Sequence, residues 1–322
     1  MSPLPFPRFY DPAQVEGLHL ERAGEIAQEA ARYAAEHRLR PASEDAERTA
    51  VFGIDVQVAF CTPGASLFVP GAVEDTQRAL GWLYRNLDRV TELVFSLDTH
   101  RAFQIFHPAW WVDRAGAHPP PMTTITSAEV ASGKWTAIAH PEASLEYCRK
   151  LEASGRYVLT LWPYHALLGG LSHALVPSVM EAALFHTFAR GRQTRFELKG
   201  EHPQTENYSV LSPEVRELSG QPVGAFNTAL AEHLLSFDRV YVFGQAKSHC
   251  VLATLSDLHD FAQERDPSLL GRIHILEDAM SPVPAPPLDP LPPALDFPRV
   301  AEEAMARFAA AGMKVVRTSD PL

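Results

Sequence analysis

Six residues of types that do chemistry stand where apolar runs of this chain finish. Asp55 follows "AVFGI", Asp98 and His100 close "ELVFSLDTH", and His165 closes "RYVLTLWPYH". Lys199 closes "TRFELK", and Cys250 follows "RVYVFG" across a short turn. Residues i and i+2 of an extended segment face the same side, so Asp98 and His100 can converge on one cation. His165 would complete a two-histidine, one-carboxylate set of the kind that holds zinc, iron or manganese and leaves positions open. Taken singly, each of the 14 histidines reads as a structural or surface residue. His107, in "FHPAWW", is an additional candidate ligand or a packed loop residue. Asp55, Lys199 and Cys250 have two readings that spacing leaves even. They are an ion pair beside an inert thiol, or a nucleophile activated by a cation and a helix N-terminus with aspartate as proton acceptor.

These residues share a site only if the runs that end in them are strands of one parallel sheet. Seven strand candidates are "AVFGIDV", "ELVFSLDT", "RYVLTLW", "TRFELK", "RVYVFG", "RIHILED" and a short "KVVRT". Helix candidates lie near 73–88, 177–190, 224–236, 250–264 and 298–311. Continuously apolar strands imply burial on both faces, and strand–helix alternation implies a parallel α/β sheet with right-handed crossovers. In such sheets ligands bind beyond the carboxyl ends of the strands.

Residues 1–45 read as a partly helical N-terminal extension. Its alanine-rich stretch Leu20–Leu39 is expected to pack on another surface, as a solvated helix or an oligomer contact. Residues 46–322 then form the main domain. It carries a strandless insertion at about 108–150 and a segment at 281–298 with eight prolines, expected to be a stiff extended connector.

With 46% apolar residues the chain of 322 can build a sizeable core. A net charge of −11 opposes non-specific attraction to nucleic acid or an anionic membrane, and the sequence shows no dense Lys/Arg run. Three widely spaced cysteines point to a reducing cytoplasm rather than a disulfide framework, and the N-terminus has no secretory pattern. Cys61 reads as a packing residue.

The stretches "DVQVAFCTPGASLFVPGA", "DTH", "WPYH", "LKG…ENYS" and "GQAKSHCVLAT" resemble, in order, the motifs of nicotinamidases of the isochorismatase-like cysteine hydrolases. The resemblance covers roughly residues 49 to 320. It implies a six-stranded parallel sheet flanked by helices on both faces, a Rossmann-like three-layer α/β fold. It implies Cys250 as nucleophile, Asp55 as proton acceptor and Lys199 as activating cation. It implies Asp98, His100 and His165 as ligands of one divalent metal, zinc first and iron or manganese as alternatives. Phe60, Trp162 and Tyr208 would line the substrate pocket. A cis peptide expected at Ala246–Lys247 would aim the N–H groups of Ala246 and Cys250 at an oxyanion. The expected activity is hydrolysis of a small amide, nicotinamide to nicotinate and ammonia, within NAD salvage and pyridine nucleotide metabolism. Another carboxamide or ureido amidase is the alternative, and a catalytically weak binding or scaffold protein the third reading. A homo-oligomer is compatible with either enzyme. Lys247 replaces the family's small hydroxyl residue and is expected to add a cation at the mouth of the site. Ala166 stands where many relatives have cysteine.

Overall fold

The computed structural model describes residues 3–155, 157–287 and 289–322. Its main sheet has six parallel strands: β1 (Thr49–Ile54), β2 (Glu92–Asp98), β3 (Arg195–Lys199), β4 (Arg239–Gly244), β5 (Ile273–Leu276) and β6 (Lys314–Val316). Their spatial order is β6-β5-β4-β1-β2-β3. The chain moves outward from β1 through β2 to β3, then crosses back to lay β4 on the other side of β1. The order therefore reverses between β1 and β4, where a crevice opens beyond the strand ends.

The central strands β1, β4 and β5 are mostly apolar because both faces are covered, whereas the edge strand β3 alternates Arg195 and Glu197 with half-exposed Phe196 and Leu198. Ala50, Phe52, Ile54, Val240, Val242, Ile273 and Ile275 join one core. The alternate residues Val51, Leu93, Phe95, Tyr241 and Phe243 join the other. Helices α1 (Ala23–His37), α2 (Ala72–Arg85) and α4 (Pro177–Arg190) cover the second face. Helices α3 (Pro141–Ser154), α5 (Thr228–Leu235), α6 (Cys250–Arg265) and α7 (Phe297–Ala311) pack on the first. Gly244, at φ +128°, lets β4 leave the sheet, since a Cβ there would lie 2.0 Å from the Ile54 carbonyl oxygen. Among the described residues no helix is long and apolar enough to cross a membrane.

Two expectations change. The run "RYVLTLW" is not a sheet strand: Arg156 lies outside the described residues, and Leu159–Thr160 pair antiparallel with Thr124–Ile125 in a two-stranded ribbon. An apolar run demands burial, and the insertion supplies it without the main sheet. Nor is the insertion strandless. It holds α3, a short helix Ser127–Ala131 capped by Thr126 and Glu129, and a second ribbon joining Trp111–Val112 to Thr136–Ala137. Helix α1 packs on α4 through buried Ile26, Ala30 and Tyr33.

Candidate active site

Four adjacent strands deliver the chemistry to one crevice. Asp55 directly follows β1, Asp98 ends β2, Lys199 ends β3, and Cys250 opens α6 after β4. Asp98 and Lys199 are register partners across β2 and β3, so their side chains leave the same face side by side. Asp55 sits at φ +49°, a left-handed backbone uncommon for a residue with a side chain. Asp55 and Cys250 flank the crevice where the strand order reverses.

The Lys199 ammonium is the hub. Its Nζ lies 2.7 Å from Asp98 Oδ1, 3.1 Å from Asp55 Oδ2 and 3.7 Å from Cys250 Sγ. It also donates to the Asn207 carbonyl at 2.8 Å. Burial would pull its pKa down, but Asp55, Asp98 and Cys250 together hold it well above its ordinary value. Burial pushes the Cys250 thiol up, against the pull of Lys199, and Asp55 and Asp98 push it further. Asp55 stands beside the thiol. It shares a hydrogen bond with Cys250, and burial raises its pKa although Lys199 opposes the shift. Ser96 Oγ donates to its other oxygen at 2.6 Å and orients it.

Above the thiol, Ala246 and Cys250 both line the cavity. Among the described residues no carbonyl accepts from the N–H of either. Lys247 N–H, by contrast, is committed to the Ser281 carbonyl at 2.8 Å. The two free N–H groups, one at the first residue of a 16-residue helix, favour negative charge. The cis peptide is Gln245–Ala246, one bond earlier than expected.

Asp98, His100 and His165 bring one ligand atom each within 4.8 Å of one another, all buried. His100 Nδ1 donates to the Gly200 carbonyl and His165 Nδ1 to the Pro163 carbonyl at 2.7 Å. Each Nε2 lone pair is thereby left facing Asp98 Oδ2, at 2.7 and 3.3 Å. Burial lowers the pKa of His100 in spite of the Asp98 carboxylate, so the ring is neutral. Lone pairs facing a carboxylate in a dry site call for a cation between them, and the three residues fit one divalent metal with further positions open. Gly200, at φ +84°, makes room: a Cβ there would stand 2.8 Å from His100 Cε1. His107 stands beside this set, its ring centroid 6.0 Å from that of His100 and 6.2 Å from that of His165. Burial pushes its pKa to about 3.

The cavity over these groups measures about 170 Å³. Phe60, Trp162 and Tyr208 line it as expected, with the Trp162 indole donating to the Tyr208 hydroxyl at 3.1 Å. Lys247 does not reach it. Its ammonium turns outward to Glu302 on α7 at 2.6 Å, so it adds no cation at the mouth. Sequence reasoning missed Glu206, Asn207 and His249, which lie in the quoted "ENYS" and "SHC" stretches, and Val283 and Pro284, which make the proline-rich segment a wall rather than a connector. Burial raises the Glu206 carboxyl to about 8.

No protein-family model and no curated protein sequence matches the chain. Solved structures do. A nicotinamidase–pyrazinamidase from Acinetobacter baumanii aligns over 87% of this chain and 100% of its own, with a TM-score of 0.53 at 19% identity. The yeast nicotinamidase bound to the inhibitor nicotinaldehyde aligns over 84% and 99%, with a TM-score of 0.52 at 18% identity. The chain has the isochorismatase-like fold.

Proposed function

We propose that the protein is a metal-containing cysteine amidohydrolase that converts a carboxamide to a carboxylate and ammonia, with nicotinamide the first substrate to try. The observation that carries this reading is the contact of one buried ammonium with the thiol and with both carboxylates at the sheet's switch point. An inert ion pair would leave the thiol and the two unpartnered N–H groups, of Ala246 and Cys250, without a purpose in a cavity. The fold shared with nicotinamidases supports the reaction class.

Asp55 takes the thiol proton as Cys250 Sγ attacks the carbonyl carbon. The carbonyl oxygen becomes an oxyanion that accepts from the Ala246 and Cys250 N–H groups. Lys199 stays protonated and holds the charge of the attacking sulfur and of Asp55. Asp55 then returns the proton to the amide nitrogen, the C–N bond breaks, and ammonia leaves a thioester on Cys250. A water molecule surrenders its proton to Asp55 and attacks the thioester. The C–S bond breaks, the acid departs, and the thiol is restored. A metal held by Asp98, His100 and His165 would supply a Lewis-acidic anchor for a ring nitrogen or a water. Phe60 and Trp162 would wall the ring. With nicotinamide as substrate the reaction belongs to NAD salvage. Three separate free cysteines accord with a cytoplasmic setting.

The test is to incubate metal-replete protein with nicotinamide and follow ammonia and nicotinate. Benzamide, lacking the ring nitrogen, should be a much poorer substrate. Failure to release ammonia from any carboxamide overturns the reading.

A further inference from the structure

Beyond the small cavity lies a second space of about 770 Å³. The two adjoin, sharing Met122, Trp162, Tyr208, His249, Val283 and Pro284 in their walls. The inner space alone is below the range of ligand pockets, about 300–1,000 Å³, whereas the outer one falls inside it. One wall of the outer groove is the ribbon of the insertion, with Thr124, Val158 and Thr160. The opposite wall is the proline-rich segment from Val283 to Pro287, closed by Leu295 and Phe297. Both walls lie outside the six-stranded sheet. Prolines give such a wall a fixed shape without side-chain ordering.

Its surface is apolar and aromatic. Tyr157 lies 4.5 Å from Tyr208, centroid to centroid, and stacks at 18° on His249, whose other side meets Phe297 at 4.8 Å. Among the described lining residues Glu152 is the only Asp, Glu, Lys or Arg, and both its oxygens are taken by the Ser127 N–H and hydroxyl. Burial pushes the His249 pKa to about 4, so this ring too is uncharged. Lys247 is turned away to Glu302. A charged substituent would find no described counter-ion here, and an apolar one would find rings on three sides.

We propose that the substrate is a primary carboxamide whose acyl part carries an uncharged apolar or aromatic arm, the amide entering the inner cavity and the arm lying in the outer groove. This rests on the amidohydrolase reading and adds the substrate's shape to it. The reaction stays balanced as above: the arm remains on the acyl carbon through the thioester and leaves with the acid, while the amide nitrogen departs as ammonia.

The test uses the full metal-replete protein and a series of nicotinamides bearing alkyl or phenylalkyl arms of increasing length on the ring, read by ammonia release. kcat/KM should rise by roughly fourfold per methylene buried until the groove is full. Two variants narrow the groove from opposite walls, Val158→Trp and Ala285→Trp. Each should return long-armed substrates to the kcat/KM of nicotinamide and leave nicotinamide itself within about twofold. Cys250→Ala, which cannot turn over, reads the arm by calorimetry, and its affinity should follow the same series. A flat series in wild-type protein that does hydrolyse nicotinamide overturns the arm and leaves the amidohydrolase standing. Affinity that climbs with arm length in Cys250→Ala, with no ammonia from wild type, upholds the groove as an apolar binding site and overturns the catalytic reading. Turnover gained only by arms on the amide nitrogen overturns the placement of the arm on the acyl side.

Discussion

At the scale of single residues, the site is a balance of two carboxylates, one ammonium and one thiol in a space without water's screening. Removing one member leaves the others uncompensated, so effects should be large and non-additive. Cys250→Ala, Asp55→Asn and Lys199→Met should each lower kcat by at least about a thousandfold, and the triple variant should be little worse than the worst single one. Near-normal turnover in Cys250→Ala would exclude a thioester. The metal set has its own test, independent of turnover. Asp98→Ala with His100→Ala should abolish a bound metal found at about one per chain in the parent. Gly200→Ala should also lower metal content although it removes no ligand, because its Cβ would crowd His100 Cε1 at 2.8 Å. Metal retained in full by that variant would show that His100 does not need this position. Residue types at strand ends made the principal chemistry legible. Glu206 and His249 were not, because what brings them to the cavity is a loop path and a helix start that spacing does not encode.

At the scale of elements, the central strands were readable because burial on both faces writes itself as a nearly unbroken apolar run, while the edge strand β3 shows only its short alternating stretch Arg195–Lys199. The same rule misled at "RYVLTLW", where the burial comes from the insertion. Helix α3 carried a usable signal in Tyr147, Cys148 and Leu151, all buried on one face, behind a proline at the helix start. Helix α1 is a different case. Its alanine-rich sequence announces a helix that needs a partner, but nothing in it names α4. The segment leading into α1 is fixed by a specific contact: Arg22 bonds Glu181 of α4 through Nε at 2.9 Å and through a second nitrogen at 3.1 Å. The Glu181 side chain is only 4% exposed, with His19 Nε2 3.5 Å from Oε2, the oxygen that the second Arg22 nitrogen also holds. Arg22→Met leaves a buried carboxylate short of a partner and should lower stability by roughly 1–3 kcal/mol. Adding Glu181→Leu should recover most of the loss. Urea unfolding of the two variants measures both, and a double variant no better than Arg22→Met would mean that the pair is not what fixes this segment.

At the scale of the whole molecule, the direction of its pH response follows from histidines that folding keeps neutral. Burial holds His186 of α4 and His249 at about 4, well below the ordinary value of 6.5. The His186 ring is fully enclosed, with Nε2 donating to the Val90 carbonyl at 3.0 Å. Between pH 6.5 and 4 the unfolded chain takes up a proton at each of these positions and the folded one does not. Stability therefore rises with pH in that window and is lost as pH falls through it, by up to roughly 1.4 kcal/mol per pH unit for each histidine. Above pH 6.5 these groups contribute no slope. The net charge of −11 acts the other way, since protonating exposed carboxylates relieves self-repulsion, but exposed charges are screened and buried rings are not. Buried Glu206, raised to about 8, also opposes the histidines, because it keeps its proton in the folded state as pH rises from 4.5, but His107, held at about 3, adds a third neutral ring. The three histidines should outweigh the one carboxyl, and Tm should fall between pH 7 and pH 4.5. His186→Gln keeps a donor of similar reach for the Val90 carbonyl and removes one titrating group far from the active site. Its Tm should be close to that of the parent, or below it, at pH 7, and should fall less steeply on acidification. Thermal unfolding of parent and variant at pH 7, 6, 5 and 4.5 reads the difference. Parallel Tm profiles would mean that His186 does not couple protonation to folding, and the acid slope would then have to come from the site itself.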